Sequence, residues 1–143
     1  MANAAPVLDA GGGHRQPGGA LMHETEHRSF SEPDETRAFP HGRAEIVAVG
    51  GAEVGRMVFE PGWRWSHDVK PIAGTESCEA PHFQYHVSGR LAIRMDDGEE
   101  FVAQPGDVTS LPRGHDAWVV GDEHAVVVDW YGASAYAKQS ARS

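Results

Sequence analysis

Four histidines have the placement expected of ligands to one metal ion: His67, His82, His86 and His115. Each falls on the inferred inward face of a predicted β-strand, and in a closed barrel the inward faces of different strands converge. A buried imidazole requires a partner for each ring nitrogen, and neutral imidazole is the commonest metal ligand in proteins. We therefore predict that these side chains surround one divalent metal ion.

Geometry limits how many of these histidines can bind the ion together. His82 and His86 lie ~13 Å apart along an ideal strand, whereas a metal–nitrogen bond is only ~2 Å long. One ion reaches both only if the strand is bulged or strongly bent, so His86 is alternatively part of the cavity wall. Gln84 lies between them on the same face, where its amide could bind the ion or a metal-bound water, and we assign it to the pocket.

The ligand types bear on the identity of the metal and on its chemistry. A site made of neutral histidines leaves the full +2 charge on the ion, which favours polarisation of a carbonyl and a lowered pKa for metal-bound water as a base. Zinc is the favoured ion and iron the alternative. Cys78, four residues before His82, offers a soft ligand typical of structural zinc, or else it is a packed thiol. The other histidines are predicted to lie at the surface or in an N-terminal arm: His14, His23, His27, His41 and His124.

Alternating residues predict the strands that must carry these ligands. Trp63, Trp65, His67 and Val69 alternate with polar residues, so we expect a strand here whose tryptophans face inward. The pocket is therefore expected to be apolar and aromatic and to hold a small hydrophobic or aromatic substrate, unless the tryptophans are ordinary core. The residues assigned to the pocket are Trp63, Trp65, Val69, Gln84 and Ala117.

Short strands separated by Gly and Pro turns predict the fold class. Strands are expected at residues 46–49, 54–60, 82–87, 91–95, 101–103, 108–111, 117–120 and 125–130, with no long helix. This pattern is typical of an all-β sandwich or small barrel. A chain of 143 residues is about one domain. We divide it into an arm or leader at 1–43, a barrel at 44–132, and a tail at 133–143 that could form a short helix. The arm is either solvated, or it covers a neighbouring subunit or adds an edge strand.

Charge and cysteine usage exclude several partners and sites. The net charge of −9 argues against nucleic-acid and anionic-membrane partners, because few cations are available to neutralise phosphates. The single cysteine permits no intramolecular disulfide and fits a reducing compartment. The sequence shows neither an apolar run of the ~18 residues that span a membrane nor a secretory signal. A cytoplasmic location is expected.

Two motifs resemble those of the cupin superfamily. Residues 106–114, GDVTSLPRG, fit the pattern G-x5-P-x-G of the second cupin motif. Residues 82–89 fit the second half of the first motif, and Pro61 and Gly62 followed by His67 resemble its start. The resemblance covers about residues 45–130. It implies a cupin double-stranded β-helix, also called a jelly-roll barrel, that holds one metal ion and forms a homodimer.

The chain departs from the cupin pattern at the ligand positions. The usual His-x-His pair is reduced to His67, and His82 stands where the family has Glu. Ala117 takes the usual histidine position of the second motif, with His115 two residues earlier on the same strand face. The ligand set is thus expected to be rearranged.

The resemblance extends to a reaction class. In length and layout the chain is similar to the cupin-type aromatic polyketide cyclases, which implies aldol-type ring closure of a poly-β-ketone in a hydrophobic pocket. Two alternatives remain open. One is an Fe(II)-dependent cupin dioxygenase, since three neutral histidines on iron serve that chemistry in other cupins. The other is a non-catalytic cupin that binds a small ligand.

Overall fold

A computed structural model gives the fold of residues 24–131 and 136–137. Two four-residue helices, α1 (Trp65–Asp68) and α2 (Lys70–Ala73), lie between the third and fourth strands. No helix among the described residues is long and apolar enough to cross a membrane. The strands within these residues are β1 (Glu35–Phe39), β2 (Gly42–Val49), β3 (Ala52–Phe59), β4 (His82–Ser88), β5 (Arg90–Met95), β6 (Glu100–Ala103), β7 (Val108–Leu111), β8 (His115–Val120) and β9 (Ala125–Asp129).

The strands form two antiparallel sheets. The larger has six strands in the order β1-β2-β3-β9-β4-β7, and the smaller has three in the order β6-β5-β8. The fourth strand pairs with β7 through His82 and Leu111, and with β9 through Gln84 and Asp129. The all-β fold expected from the sequence is confirmed.

The chain passes from the larger sheet to the smaller at Gly89, the single residue between β4 and β5. Gly89 has a φ of 70°, a left-handed conformation that residues with a Cβ rarely adopt. A Cβ at this position would lie 2.2 Å from the backbone oxygen of His124. The sharp change of sheet therefore requires glycine here.

The core lies between the two sheets. Leu91 and Ile93 face it from β5, and Val127 faces it from β9. The rings of Phe59 and Trp63 stack with their centroids 4.0 Å apart. Stacked aromatic pairs of this kind contribute about 1 kcal/mol beyond their buried area. They form a rigid wall beside the candidate site.

The strands predicted at 46–49, 54–60 and the six positions from 82 to 130 are all present; their ends agree within about two residues, except that β2 begins four residues earlier, at Gly42. Part of the predicted arm, Glu35–Phe39, forms β1 and pairs with β2 at the edge of the six-stranded sheet. This is the edge-strand alternative that the sequence left open. Residues 1–23 of the arm, and most of the tail at 133–143 with its predicted helix, lie outside the described residues.

The strand predicted across 63–69 is wrong, because Trp65–Asp68 is a helix. Trp65 and Val69 are both buried four residues apart, a spacing that fits one helix face as well as alternate strand positions. The side chain of Asp68 accepts a hydrogen bond from the backbone of Arg64 (3.0 Å) and so satisfies an amide at the start of the helix. His67 consequently points to solvent rather than inward.

Candidate metal centre

Three buried side chains bring possible metal ligands together: Cys78, His82 and His115. One ligand atom from each lies within 4.8 Å of the other two. His82 begins β4 of the larger sheet and His115 begins β8 of the smaller, so the cluster joins the two sheets across the core. Among the described residues this is the group of three whose geometry suits a metal ion.

A backbone bridge holds Cys78 against the start of β8. The amide of Cys78 donates to the carbonyl of His115 at 2.8 Å, and the amide of Gly114 donates to the carbonyl of Cys78 at 2.7 Å. These bonds hold Cys78, which lies in an irregular loop, beside His115, which lies 37 residues later in the chain. Sγ of Cys78 lies 3.7 Å from Nε2 of His82.

Hydrogen bonds to the outer ring nitrogens set the orientation of both histidines. Nδ1 of His82 donates to Oδ2 of the buried Asp129 at 2.5 Å. Nδ1 of His115 donates to the carbonyl of Pro112 at 3.0 Å. A carbonyl only accepts, so it fixes the tautomer, and the carboxylate acts in the same way. Nε2 of each ring is then left with its lone pair toward the cluster, as in metal sites whose histidines are held by such partners.

Burial favours the uncharged forms of Cys78 and His115. It raises the pKa of the Cys78 thiol to about 12. Burial, together with the neighbouring His82, lowers the pKa of His115 to about 4. Metal binding must therefore release the thiol proton, and the affinity should rise with pH. Two imidazoles and a thiolate are a donor set that fits zinc, with room for one more ligand in a tetrahedral arrangement.

A small cavity, partly open to solvent, lies beside the three ligands. The enclosed free space is about 20 Å³, which is room for about one water molecule. Four of the predicted pocket residues line it, whereas Val69 is buried but is not among its lining residues. Those four are Trp63, Trp65, Gln84 and Ala117.

Of the four predicted histidine ligands, the structure brings two together, His82 and His115. His86 is buried on the same strand as His82, but its Nε2 is hydrogen-bonded to Oγ1 of Thr109 at 2.9 Å and it lies outside the cluster. Burial also lowers the pKa of His86. His67 is exposed on α1, so the prediction that it faces the pocket is wrong.

Two other residues gain importance from the structure. Cys78, the alternative soft ligand in the sequence, belongs to the cluster. The sequence analysis did not identify Asp129. A carboxylate at the end of the apolar run AVVVD was a usable signal, because an aspartate in a buried strand is almost always paired. Its Oδ1 accepts hydrogen bonds from the backbone amides of Phe83 (3.2 Å) and Tyr131 (2.9 Å).

Comparisons with known proteins bear on the fold. No family model matches the chain, and no curated protein matches it by sequence. Among solved structures, a protein of unknown function from Rhizobium leguminosarum bv. viciae is similar, with 19% identity and a TM-score of 0.54 over 74% of this chain and 94% of that chain. The polyketide cyclase RemF from Streptomyces resistomycificus is also similar, with 14% identity and a TM-score of 0.53 over 74% and 78% of the two chains.

A third similar structure is a protein of unknown function (DUF1255) from an Acinetobacter species, with 13% identity and a TM-score of 0.51 over 68% of this chain and 90% of that chain. At these identities the likeness concerns the fold. Together with the two antiparallel sheets, it confirms the cupin double-stranded β-helix predicted from the sequence motifs.

Proposed function

We propose that this cupin-fold protein is a zinc-dependent enzyme that closes a ring of an aromatic polyketide by aldol-type chemistry. The observation that carries the metal assignment is the convergence of three buried ligand atoms within 4.8 Å. Because Asp129 and the carbonyl of Pro112 already hold the two imidazoles, little reorganisation is needed to bind an ion.

The ligand types favour zinc over the iron of the dioxygenase alternative. That alternative was based on three histidines, and the cluster instead offers two histidines and a cysteine. Thiolate and imidazole together are typical of zinc sites. When bound, zinc supplies a Lewis acid that polarises a carbonyl oxygen and stabilises the developing enolate.

The chain's own residues would control which carbon atoms meet. Phe59 and Trp63 form a stacked aromatic wall, and Leu91 and Ile93 close the cavity from the smaller sheet. Apolar walls exclude water, and a confined flexible chain presents few alternative conformations, which is catalysis by orientation. The cavity is small and partly open to solvent, so a polyketide would extend through its open side. The fold shared with a polyketide cyclase supports the same reaction class.

Metal content tests the proposed site. Protein purified without an affinity tag should contain about one zinc per chain by elemental mass spectrometry. Cys78→Ser and His115→Ala should reduce this value to near zero, because each removes one of three ligands. His67→Ala is the control and should retain the zinc, since His67 is exposed on α1. Zinc-free wild type after reconstitution, or loss of zinc in His67→Ala alone, contradicts the site.

Product analysis tests the reaction. Wild-type protein should convert a poly-β-ketone to a cyclised aromatic product, which is detected by liquid chromatography and mass spectrometry. Cys78→Ser and chelator-treated protein should be at least about a hundredfold slower, because metal polarisation of a carbonyl contributes several kcal/mol. Equal rates in metal-free protein contradict the proposal. Oxygen uptake that requires ferrous iron would favour the dioxygenase, and tight ligand binding without turnover would favour the binding protein.

The homodimer and the cytoplasmic location remain predictions. The described surface carries an uncharged apolar face of the kind that subunit contacts cover. Phe83, Tyr85 and Val87 point outward along β4, and Val108 pairs with Tyr85 on the neighbouring strand.

A further inference from the structure

Three buried polar atoms beside the metal-ligand cluster have no hydrogen-bond partner among the described residues: Nε1 of Trp63, Oε1 of Gln84 and the hydroxyl of Tyr136. Each of the three side chains is at most 4% exposed, and all three line the small cavity beside the cluster. A buried polar group without a partner is costly, so native proteins carry few of them. Three around one cavity indicate that their partner lies inside it.

The size of the cavity limits what that partner can be. The enclosed free space is about 20 Å³. On the same measure a water molecule needs roughly 10–15 Å³, so one water fits and a second does not. An organic ring is excluded as long as the walls keep this arrangement.

We propose that Trp63, Gln84 and Tyr136 bind one ordered water molecule beside the ligand cluster. The inference goes beyond the proposed function, because the chain itself holds this water whether or not an ion is bound. Immobilising one water costs less free energy than leaving several buried polar groups unpaired, so the bound state is favoured.

The donor and acceptor types of the three groups fit water. The indole N–H of Trp63 can only donate a hydrogen bond, the amide oxygen of Gln84 can only accept one, and the hydroxyl of Tyr136 can do either. A water accepts from Trp63 and donates to Gln84. An anion would be repelled by the amide oxygen, and a metal cation would be repelled by the indole N–H.

The ligand cluster supplies a fourth contact for the water. His82 and His115 line the same cavity, and Nε2 of each ring has its lone pair toward the cluster. A water that accepts from Trp63 and Tyr136 and donates to Gln84 still has one hydrogen, which it can donate to one of these nitrogens. The water then has four partners, the upper end of what buried waters make.

The position of the water gives Gln84 and Tyr136 a role in the chemistry. The three protein ligands leave one place open in a tetrahedral arrangement. A water already held by these two residues is available for that place without movement of the walls. We therefore assign Gln84 and Tyr136 as positioning residues for the water that the proposed ring closure would use as its base. That base role rests on the proposed function, whereas the water site itself does not.

Proton NMR of the Trp63 indole tests the inference. In isotope-labelled protein stripped of metal, the Nε1 proton of Trp63 should show nuclear Overhauser and rotating-frame cross peaks to water. Opposite signs of the two cross peaks identify a water that stays bound for longer than the protein takes to tumble, and equal signs identify chemical exchange. The indole of Trp130, which is 53% exposed, is the control in the same spectrum and should show no such bound water.

A double variant removes two of the proposed partners with little change in volume: Gln84→Met with Tyr136→Phe. The bound-water cross peak at Trp63 should be lost, and magnetic relaxation dispersion of the solvent should count one long-lived water fewer than in wild type. The matched control carries the same changes at exposed positions, Tyr85→Phe with Gln104→Met, and should keep both signals. Circular dichroism checks that each variant is folded, and the wild-type measurement decides the matter alone if the double variant does not fold.

The outcomes separate this inference from the metal assignment. Wild type without a bound-water signal at Trp63, or a folded double variant that keeps the signal undiminished, overturns the inference. A signal that appears only after zinc is added also overturns it, because the ion rather than the chain would then hold the water. If wild type binds no zinc but the metal-free protein shows the signal, the water site stands and the metal assignment fails. If zinc is bound and neither form shows the signal, the reverse holds.

Discussion

Cys78 in the folded, zinc-free protein should react with iodoacetamide at least about a hundredfold more slowly than the same thiol in unfolded chain. The thiolate is the reactive form, and burial raises the thiol pKa from 9.0 to about 12. At pH 8 the thiolate fraction falls about a thousandfold with such a shift. The more basic thiolate is a better nucleophile and recovers about 1.2–1.5 powers of ten. Burial of the side chain, only 3% exposed, slows the reaction further.

This prediction distinguishes a metal ligand from a catalytic nucleophile. Cys78, His82 and Asp129 are arranged in the order of a nucleophile, a base and its orienting carboxylate. A cysteine nucleophile reacts as its thiolate, which a lowered pKa favours, and burial of Cys78 does the opposite. The measurement is the alkylation rate by mass spectrometry on chelator-treated protein, with circular dichroism to confirm folding and urea-unfolded protein as the reference. Rapid alkylation of the folded protein would favour covalent catalysis and contradict an inert thiol that requires an ion for deprotonation.

The strands of this fold could be predicted because each is marked by the alternation of neighbouring residues within its own segment. Alternation over four to eight residues gave the position of β4, and Gly89 marked its end. The face of β4 is less obvious, since Phe83, Tyr85 and Val87 are exposed while His82, Gln84 and His86 are buried. A polar inward face contradicts the usual rule for sheets. It makes sense here because His82 and Gln84 line the cavity beside the cluster and His86 is hydrogen-bonded to Thr109.

The short helix at Trp65–Asp68 was not predictable by the same means. Its residues alternate as a strand would, and the run is too short for a helical period to be distinguished from a period of two. One hydrogen-bond acceptor for the first turn of this helix is distant in sequence: the amide of Ser66 donates to Oδ1 of Asp116 at 3.0 Å. The prediction that His67 points inward is wrong for this reason.

The candidate site depends on contacts of the same long-range kind. His82 and His115 could be placed because each lies at the start of a strand with a known inward face. Cys78 lies in an irregular loop, and only its backbone bridge to His115 aims the thiol at the cluster. Asp129 is 47 residues from the His82 that it orients. Pairings of this type arise from the folded arrangement of the sheets and have no periodic signal in the sequence.

Asp129→Asn should weaken zinc binding about ten- to a hundredfold while it preserves the fold. Oδ1 of the asparagine can still accept from the backbone amides of Phe83 and Tyr131. The amide NH₂ would then face Nδ1 of His82, and two donors cannot pair. His82 must accept through Nδ1 and carry its proton on Nε2, which removes the lone pair that faces Cys78. Loss of such an orienting partner typically costs ten- to a hundredfold in metal affinity.

The measurement is competition for zinc against a chromophoric chelator, with the unfolding midpoint in urea as the check on structure. Asp107→Asn is the matched control, because Asp107 is exposed and, among the hydrogen bonds described, its carboxylate accepts only from the backbone amide of Gln104. It should bind zinc as wild type does. Asp129→Ala, by contrast, removes the acceptor of one buried and two partly buried hydrogen bonds, and should lower the free energy of unfolding by about 3 kcal/mol. Unchanged zinc affinity in a folded Asp129→Asn protein would mean that His82 is not a ligand, or that its tautomer is set by something other than this carboxylate.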